Sequence, residues 1–279
     1  MIILGLVPAI LLAVALRRAR SWGEPMTRRL TIALTALAVA SGCTVCAVTD
    51  VAETLGARHF GLGGLPEFIS HVAALIACGA MLEWSMVSAR HEPRLPVFRV
   101  VTATAVALLV LLYAVTGLSA PGGPGILAAG TLSSRAYALV YAGTIAWAAA
   151  HLAYLMVDAI RRRTGGKIVC AALGFASAAA IVYSVGVVGF GMIPTSPEMI
   201  IRWTWLTAGP SLLGFAVAGA VGWFPGHKGS QSEHTDPDAP RPGDDDPRFD
   251  RVFDLRHIEV ATGTDRPAVP PRRGAARFA

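Results

Sequence analysis

Charged side chains are scarce in this chain. Asp, Glu, Lys and Arg make up 15% of its 279 residues, whereas soluble domains carry about 25%. Lysine is scarcer still, because Lys167 and Lys228 are the only two. Both lie outside the long apolar runs of the chain. This excludes a retinal protein, which needs a Schiff-base lysine in its last helix.

Cysteines and catalytic motifs are also few. The four cysteines, Cys43, Cys46, Cys78 and Cys170, all lie within or beside apolar runs, so the sequence does not indicate an extracellular disulfide framework. The chain contains no G-x-x-x-x-G-K-[ST] phosphate loop, no H-E-x-x-H and no G-x-S-x-G. We therefore expect no cofactor. An intramembrane enzyme is the third and least favoured of three classes of function.

Long apolar runs dominate the sequence instead. Hydrophobic residues make up 54% of the chain, and the mean hydropathy is +0.55. About 20 apolar residues in a helix cross a hydrocarbon core of ~30 Å. We expect the first run to be a retained helix, since no small-residue cleavage site follows it. The sequence thus predicts an all-α polytopic membrane protein with seven transmembrane helices, at 1–16, 30–51, 68–87, 100–118, 136–160, 168–193 and 199–224.

The loops between these runs alternate in charge. Loops one, three and five carry five, three and four Arg or Lys residues, and loops two, four and six carry one each when Arg202, at the start of run seven, is counted with loop six. Because basic loops stay in the cytoplasm, this alternation predicts an outside N-terminus, a cytoplasmic C-terminus and a multi-pass protein of the cell membrane. The same loops account for the sequence pI of about 9.5. We therefore expect the lipid bilayer, and no nucleic acid, as a partner.

The last part of the chain, 226–279, has a different composition. It is rich in Pro, Asp, Gly and Arg, so we expect a mostly disordered cytoplasmic tail beside the transmembrane domain of 1–225. Within the tail, the segment from Phe249 to Val260 has apolar residues at helical spacing. One interpretation is that this segment fluctuates with the tail. The other is a short helix that docks on a cytoplasmic protein partner or on the membrane surface.

Ionisable residues inside the apolar runs form the first candidate site. Glu83 in run three and His151 in run five are costly in hydrocarbon, and such residues usually face protein or water. Glu83 lies seventeen residues after Pro66 and His151 sixteen after Arg135, so at ~1.5 Å per residue both are ~24–26 Å from the outer ends of their helices. Tyr154 and Asp158 follow His151 on the same helix face. We expect Glu83 and His151 either to form a structural pair or to bind a small-molecule ligand or a proton.

A second polar group lies near the outer ends of runs two and three. It comprises Asp50, Glu53 and His71. Cys43 and Cys46 lie on the same helical stripe as the two acids, which makes them weak metal candidates. A metal site needs about four ligands, and free cysteines commonly behave as small hydrophobic residues. We therefore expect no metal.

The layout resembles a family of actinobacterial integral membrane proteins of unknown function that are often described as transporters. The resemblance rests on the arginine-rich first loop, on Gly64-Leu65-Pro66 before run three, on His71 and on the seven runs. It covers roughly 1–224 and implies a seven-helix membrane domain. The family offers no catalytic residues to transfer to this chain. The Ala-, Arg- and Gly-rich, Lys-poor composition also suggests an actinobacterial source.

Two classes of function remain open. A small-molecule transporter would be favoured by paired broken helices around a polar site at the membrane midplane. Apart from Pro8, only run seven has an obvious break, at Gly209-Pro210. The sequence therefore favours a non-enzymatic receptor-like or interaction protein that signals to a cytoplasmic partner, with a transporter as the alternative.

Overall fold

A computed structural model shows an all-helical fold. It describes residues 2–20, 22–88, 95–115, 125–162, 166–192 and 197–221. The predicted tail, with its segment from Phe249 to Val260, lies outside the described residues. The described chain forms eight α-helices: α1 Ile2–Ala19, α2 Pro25–Gly42, α3 Cys46–Leu55, α4 Leu65–Ser88, α5 Leu95–Val115, α6 Leu132–Arg162, α7 Lys167–Met192 and α8 Pro197–Val221.

Five of these helices are long and apolar enough to cross a membrane. The candidate spans lie in α4, α5, α6, α7 and α8, at Leu65–Ser88, Leu95–Val115, Leu132–Arg162, Lys167–Phe190 and Arg202–Val221. Many of their large apolar side chains are exposed on the protein surface, as expected of helices whose outer faces meet lipid. The prediction of an all-α chain is confirmed for the described residues, and five of the described helices are candidates to span a membrane.

The apolar run at 30–51 is not one helix, which corrects the sequence interpretation. α2 ends at Gly42, and α3 begins at Cys46 after Val45 adopts an extended backbone. Side chains at this point compete for the helical carbonyl groups. The Thr44 hydroxyl donates to the Ser41 carbonyl at 2.7 Å, and the Thr49 hydroxyl donates to the Cys43 carbonyl at 2.8 Å. Such local hydrogen bonds offer the backbone an alternative to the helix.

Helix α4 is the central helix of the described bundle. It packs against α2, α3, α5 and α6, and α6 in turn packs against α7, which packs against α8. α1 contacts both α2 and α8. The guanidinium group of buried Arg18 in α1 donates two hydrogen bonds, of 3.0 and 2.9 Å, to the Gly219 carbonyl in the last turn of α8. A cation at this position also complements the negative end of the helix dipole.

The contact between α7 and α8 depends on small residues. A Cβ atom at Gly214 would lie 2.8 Å from the Cβ of Ala176 and 2.9 Å from the carbonyl oxygen of Ala172. The nearby Ser211 hydroxyl donates to the Ala176 carbonyl at 2.8 Å. Close approach of this kind is typical of helix pairs that associate in lipid. By contrast, a Cβ atom at Gly174 in α7 would have no neighbour within 4 Å.

Candidate functional site

Glu83 bridges three helices through two ion pairs. Its carboxylate in α4 receives two hydrogen bonds from Arg99 in α5, of 2.8 and 2.9 Å, and one of 3.4 Å from Arg29 in α2. The contact with Arg99 is a two-pronged fork, which is the strongest geometry for such a pair. The side chains of Glu83 and Arg29 are 21% exposed, whereas that of Arg99 is 56% exposed. We call these three residues the Glu83 cluster.

The helix ends explain why these three side chains meet. α2 and α5 begin at the same end of the bundle at which α4 ends, and each arginine is the fifth residue of its helix. Glu83 is the sixth residue from the end of α4. At ~1.5 Å per residue, all three lie within ~9 Å of that end. Equal depth on three packed helices brings the charges together.

The sequence had predicted His151 as the partner of Glu83. In the structure, the partners of Glu83 are the two arginines, and Nδ1 of His151 lies 2.9 Å from the Trp147 carbonyl of its own helix. The His151 ring is buried and packs edge-on against Phe98 at 5.2 Å. α4 and α6 do touch, a contact that the sequence left open. The pair between Glu83 and His151 stays a prediction.

The two remaining candidates of this site lie further along α6. Asp158 forms an i,i+4 ion pair with Arg162 at 2.8 Å, and both side chains are partly exposed. Tyr154 is half-buried. The polar groups predicted on one face of α6 thus divide between a buried His151 and an ion pair at the helix end.

Arg29 and Arg99 were the residues that the sequence interpretation missed. Both had been assigned to basic loops, because the apolar runs begin at Leu30 and Val100. The helices begin earlier, at Pro25 and at Leu95, which precedes another proline. Proline is favoured in a first helical turn, so the prolines would have placed both arginines inside their helices.

A second polar centre is built around His71 in α4. Nδ1 of His71 lies 3.2 Å from the hydroxyl oxygen of Tyr137 in α6, in hydrogen-bond contact. The His71 ring also packs on Tyr141, with ring centroids 4.1 Å apart. The Tyr141 hydroxyl in turn is 3.1 Å from the hydroxyl of Tyr183 in α7. All four side chains are at most 8% exposed. These four residues, here called the His71 centre, join α4, α6 and α7.

Hydrogen bonds tie the loops beside the His71 centre to α4. The carboxylate of Glu67 accepts from the backbone N–H groups of Ile126 and Leu127, at 2.8 and 3.2 Å. The Tyr113 hydroxyl donates to the Gly63 carbonyl at 2.6 Å. These contacts hold the start of α4 and the segment before α6 in one place. The sequence interpretation used neither Glu67 nor the tyrosines, although tyrosines at 137 and 141 share a helical face.

The predicted outer polar group separates into different environments. Glu53 accepts a hydrogen bond of 2.9 Å from the Gly64 backbone, whereas Asp50 is exposed. His71 lies deeper, within the His71 centre. Cys43 is a free, half-buried thiol, and the side chain of Cys46 lies outside the described residues. Among the residues that the structure describes, no group of three His, Cys, Asp or Glu side chains is placed to hold a metal ion.

Comparison with known proteins gives no relative. No protein-family model, curated protein or solved structure matches this chain. Its function therefore has to be argued from the two polar centres, and the resemblance to actinobacterial membrane proteins stays an expectation.

Proposed function

We propose that this protein is a receptor-like protein of the cell membrane, in which α4 transmits a structural change between two polar centres. The observation that carries this proposal is that one helix holds both centres. His71 and Glu83 are twelve residues apart in α4, which is ~18 Å along a helix. One centre joins α4 to α6 and α7, and the other joins it to α2 and α5. A shift of α4 at one centre therefore changes helix contacts at the other.

The two centres suit different steps of such a signal. The His71 centre offers an imidazole and three hydroxyl groups in an apolar surrounding, where a small molecule with hydrogen-bonding groups or a proton would act. The Glu83 cluster holds three helix ends together by charge. Releasing it would let α2 and α5 move apart at the end that carries the basic loops. A cytoplasmic partner would detect that movement through its contact with these loops or with the tail segment from Phe249 to Val260.

This function requires a defined topology. We propose seven membrane crossings, with the N-terminus outside and the basic loops and the tail of 226–279 in the cytoplasm, because loop charge alternates along the chain. Reporter fusions after Gly123 and after Gly165 test this. We expect phosphatase activity only from the fusion at Gly123. Phosphatase activity at Gly165 would reverse the orientation.

A small-molecule transporter remains the alternative function. Pro8 and Pro210 lie inside α1 and α8, and these two helices pack against each other. Helices interrupted by proline or glycine are a feature of many transporters. A transporter would open alternately at its two ends, whereas a receptor passes a change from one end to the other.

Distance measurements between spin labels distinguish these functions. The natural cysteines are replaced by alanine, and labels are attached at Arg28→Cys in α2 and Val97→Cys in α5, which are both exposed. We expect His71→Phe to shift or broaden the distance between these labels, although His71 lies far from both. Ser211→Ala removes a buried hydroxyl from the contact between α7 and α8 and serves as the matched control.

The outcomes separate three cases. An unchanged distance in His71→Phe, together with a changed one in Glu83→Gln, would show that the centres are independent and would refute the receptor-like proposal. A second pair of labels, at Phe60→Cys and Leu132→Cys, reports on the opposite end of the bundle. A reciprocal change there, with one end opening as the other closes, would favour the transporter.

A further inference from the structure

An apolar groove runs along the surface between α2 and α4. Its volume is about 470 Å³. Its floor contains the small residues Ala36 and Ala73, and larger apolar side chains form its walls. The groove extends from Trp22, just before α2, towards Phe68 near the start of α4. Its lining side chains come from α2, from the first half of α4 and from Trp22.

The groove lies beside a helix that is a candidate to span a membrane. α4 is one of the helices long and apolar enough to span a membrane, and α2 packs along it. Side chains of the groove such as Ile32, Val39 and Ile76 are between 38% and 44% exposed. Exposed apolar walls on a membrane helix meet lipid chains and not water. An acyl chain thus fits the apolar chemistry of the groove.

One end of the groove carries positive charge. Arg28 lies four residues before Ile32, so it continues the helical stripe of α2 that lines the groove. Its side chain is exposed, whereas neighbouring Arg29 turns to Glu83. Trp22 stands at the same end, and tryptophan favours the level of the lipid headgroups. Arg20 is exposed in the same loop, which is rich in arginine.

We propose that this groove is a binding site for an anionic phospholipid. One acyl chain lies in the groove between α2 and α4, and the guanidinium group of Arg28 binds the phosphate. Guanidinium groups bind phosphate oxygens in a two-pronged geometry, and basic segments beside a membrane attract anionic lipids. The site is independent of the receptor-like function and requires only that α2 and α4 face lipid.

Lipid binding to the full-length protein in detergent tests the proposal. The first bound lipid is titrated by native mass spectrometry, with phosphatidylglycerol and phosphatidylcholine that carry identical acyl chains. We expect the wild-type protein to bind phosphatidylglycerol about fivefold more tightly. Arg28→Gln should abolish this preference. Arg58→Gln, which removes an equal charge from the π-helical turn at Gly56–Phe60, should preserve it.

Filling the groove tests the position of the acyl chain. Ala36→Phe places a ring on the groove floor and should weaken binding of both lipids at least tenfold. Ala107→Phe adds the same ring at an exposed alanine of α5 and should leave binding unchanged. If Arg28→Gln and Arg58→Gln lose the preference for phosphatidylglycerol equally, the preference is an effect of net charge and the proposal is overturned. Unchanged binding in Ala36→Phe would overturn it as well.

A fluorescence measurement covers the case in which Ala36→Phe does not fold. Phosphatidylglycerol with brominated acyl chains quenches tryptophans that it touches. We expect it to quench the wild-type protein more than Trp22→Phe, and the difference is the signal of Trp22 at the groove. Equal quenching in the two proteins would show that the lipid is not bound there.

Discussion

Glu83→Gln is expected to lower the free energy of unfolding in detergent by about 1–3 kcal/mol, as for the loss of a hydrogen bond to a charged group. The amide keeps the shape of the side chain but removes the charge that faces Arg29 and Arg99. Because the side chain of Glu83 is only 21% exposed, water compensates only part of this loss. Unfolding in denaturant, followed by the helical signal of the protein in micelles, measures the change.

Asp158→Asn is the matched control for this prediction. It makes the same carboxylate-to-amide change in an i,i+4 ion pair with Arg162 at the end of α6. Pairs of this kind contribute about 0.3–0.5 kcal/mol. We therefore expect Asp158→Asn to change stability much less than Glu83→Gln. Equal losses would mean that bridging three helices adds nothing to the ion pair of Glu83.

The difference between Glu83 and Asp158 shows how much a sequence can say about a membrane site. Hydropathy identifies both residues as unusual, because each is an acid within an apolar run. It also places Glu83 at the depth where a partner is needed. It does not identify the partner, since the choice between His151, Arg29 and Arg99 depends on where the neighbouring helices begin. The prolines in the first turns of α2 and α5 indicate that both arginines lie inside helices. The hydropathy boundaries of the runs instead assign them to loops.

The fold, like the site of Glu83, was predictable only in part. Apolar runs of this length predict helices α4 to α8, because a helix satisfies its own backbone hydrogen bonds in lipid. The run that contains α2 and α3 was misread as one helix. There, Thr44 and Thr49 bond to nearby carbonyl groups, and hydropathy carries no information about such bonds. The contact of α4 with α6 also depends on tertiary packing, which no local pattern determines.

The His71 centre was the less predictable of the two sites. His71 was singled out from the sequence as a polar residue near the outer ends of the runs. Its partners are tyrosines, which are amphipathic and suit both a packed core and a membrane interface. A tyrosine in an apolar run is therefore a weak indication of a site. The structure changes this assessment for Tyr137, because its hydroxyl is buried and meets the only imidazole in α4.

A double-mutant cycle on His71 and Tyr137 is expected to show strong coupling. Tyr137→Phe removes the hydroxyl and leaves Nδ1 of His71 without this hydrogen bond in a buried place, at a cost of about 1–3 kcal/mol. His71→Phe keeps the ring contact with Tyr141 but leaves the Tyr137 hydroxyl buried without this hydrogen bond. The double variant leaves neither group unpaired, so its loss should be smaller than the sum of the single losses by about 0.5–3 kcal/mol.

The control cycle combines Tyr137→Phe with Asp158→Asn. These residues are twenty-one positions apart on α6, or ~31 Å along the helix, so their effects should add. Additive losses in the cycle of His71 and Tyr137 would mean that their contact of 3.2 Å contributes nothing to the bundle, and the His71 centre would then be ordinary packing. Coupling there and additivity in the control would instead identify this hydrogen bond as one that α4 must break in order to move against α6. A ligand or a proton at His71 would have to break this hydrogen bond. The measured strength of the bond therefore sets the least binding energy that such a signal requires.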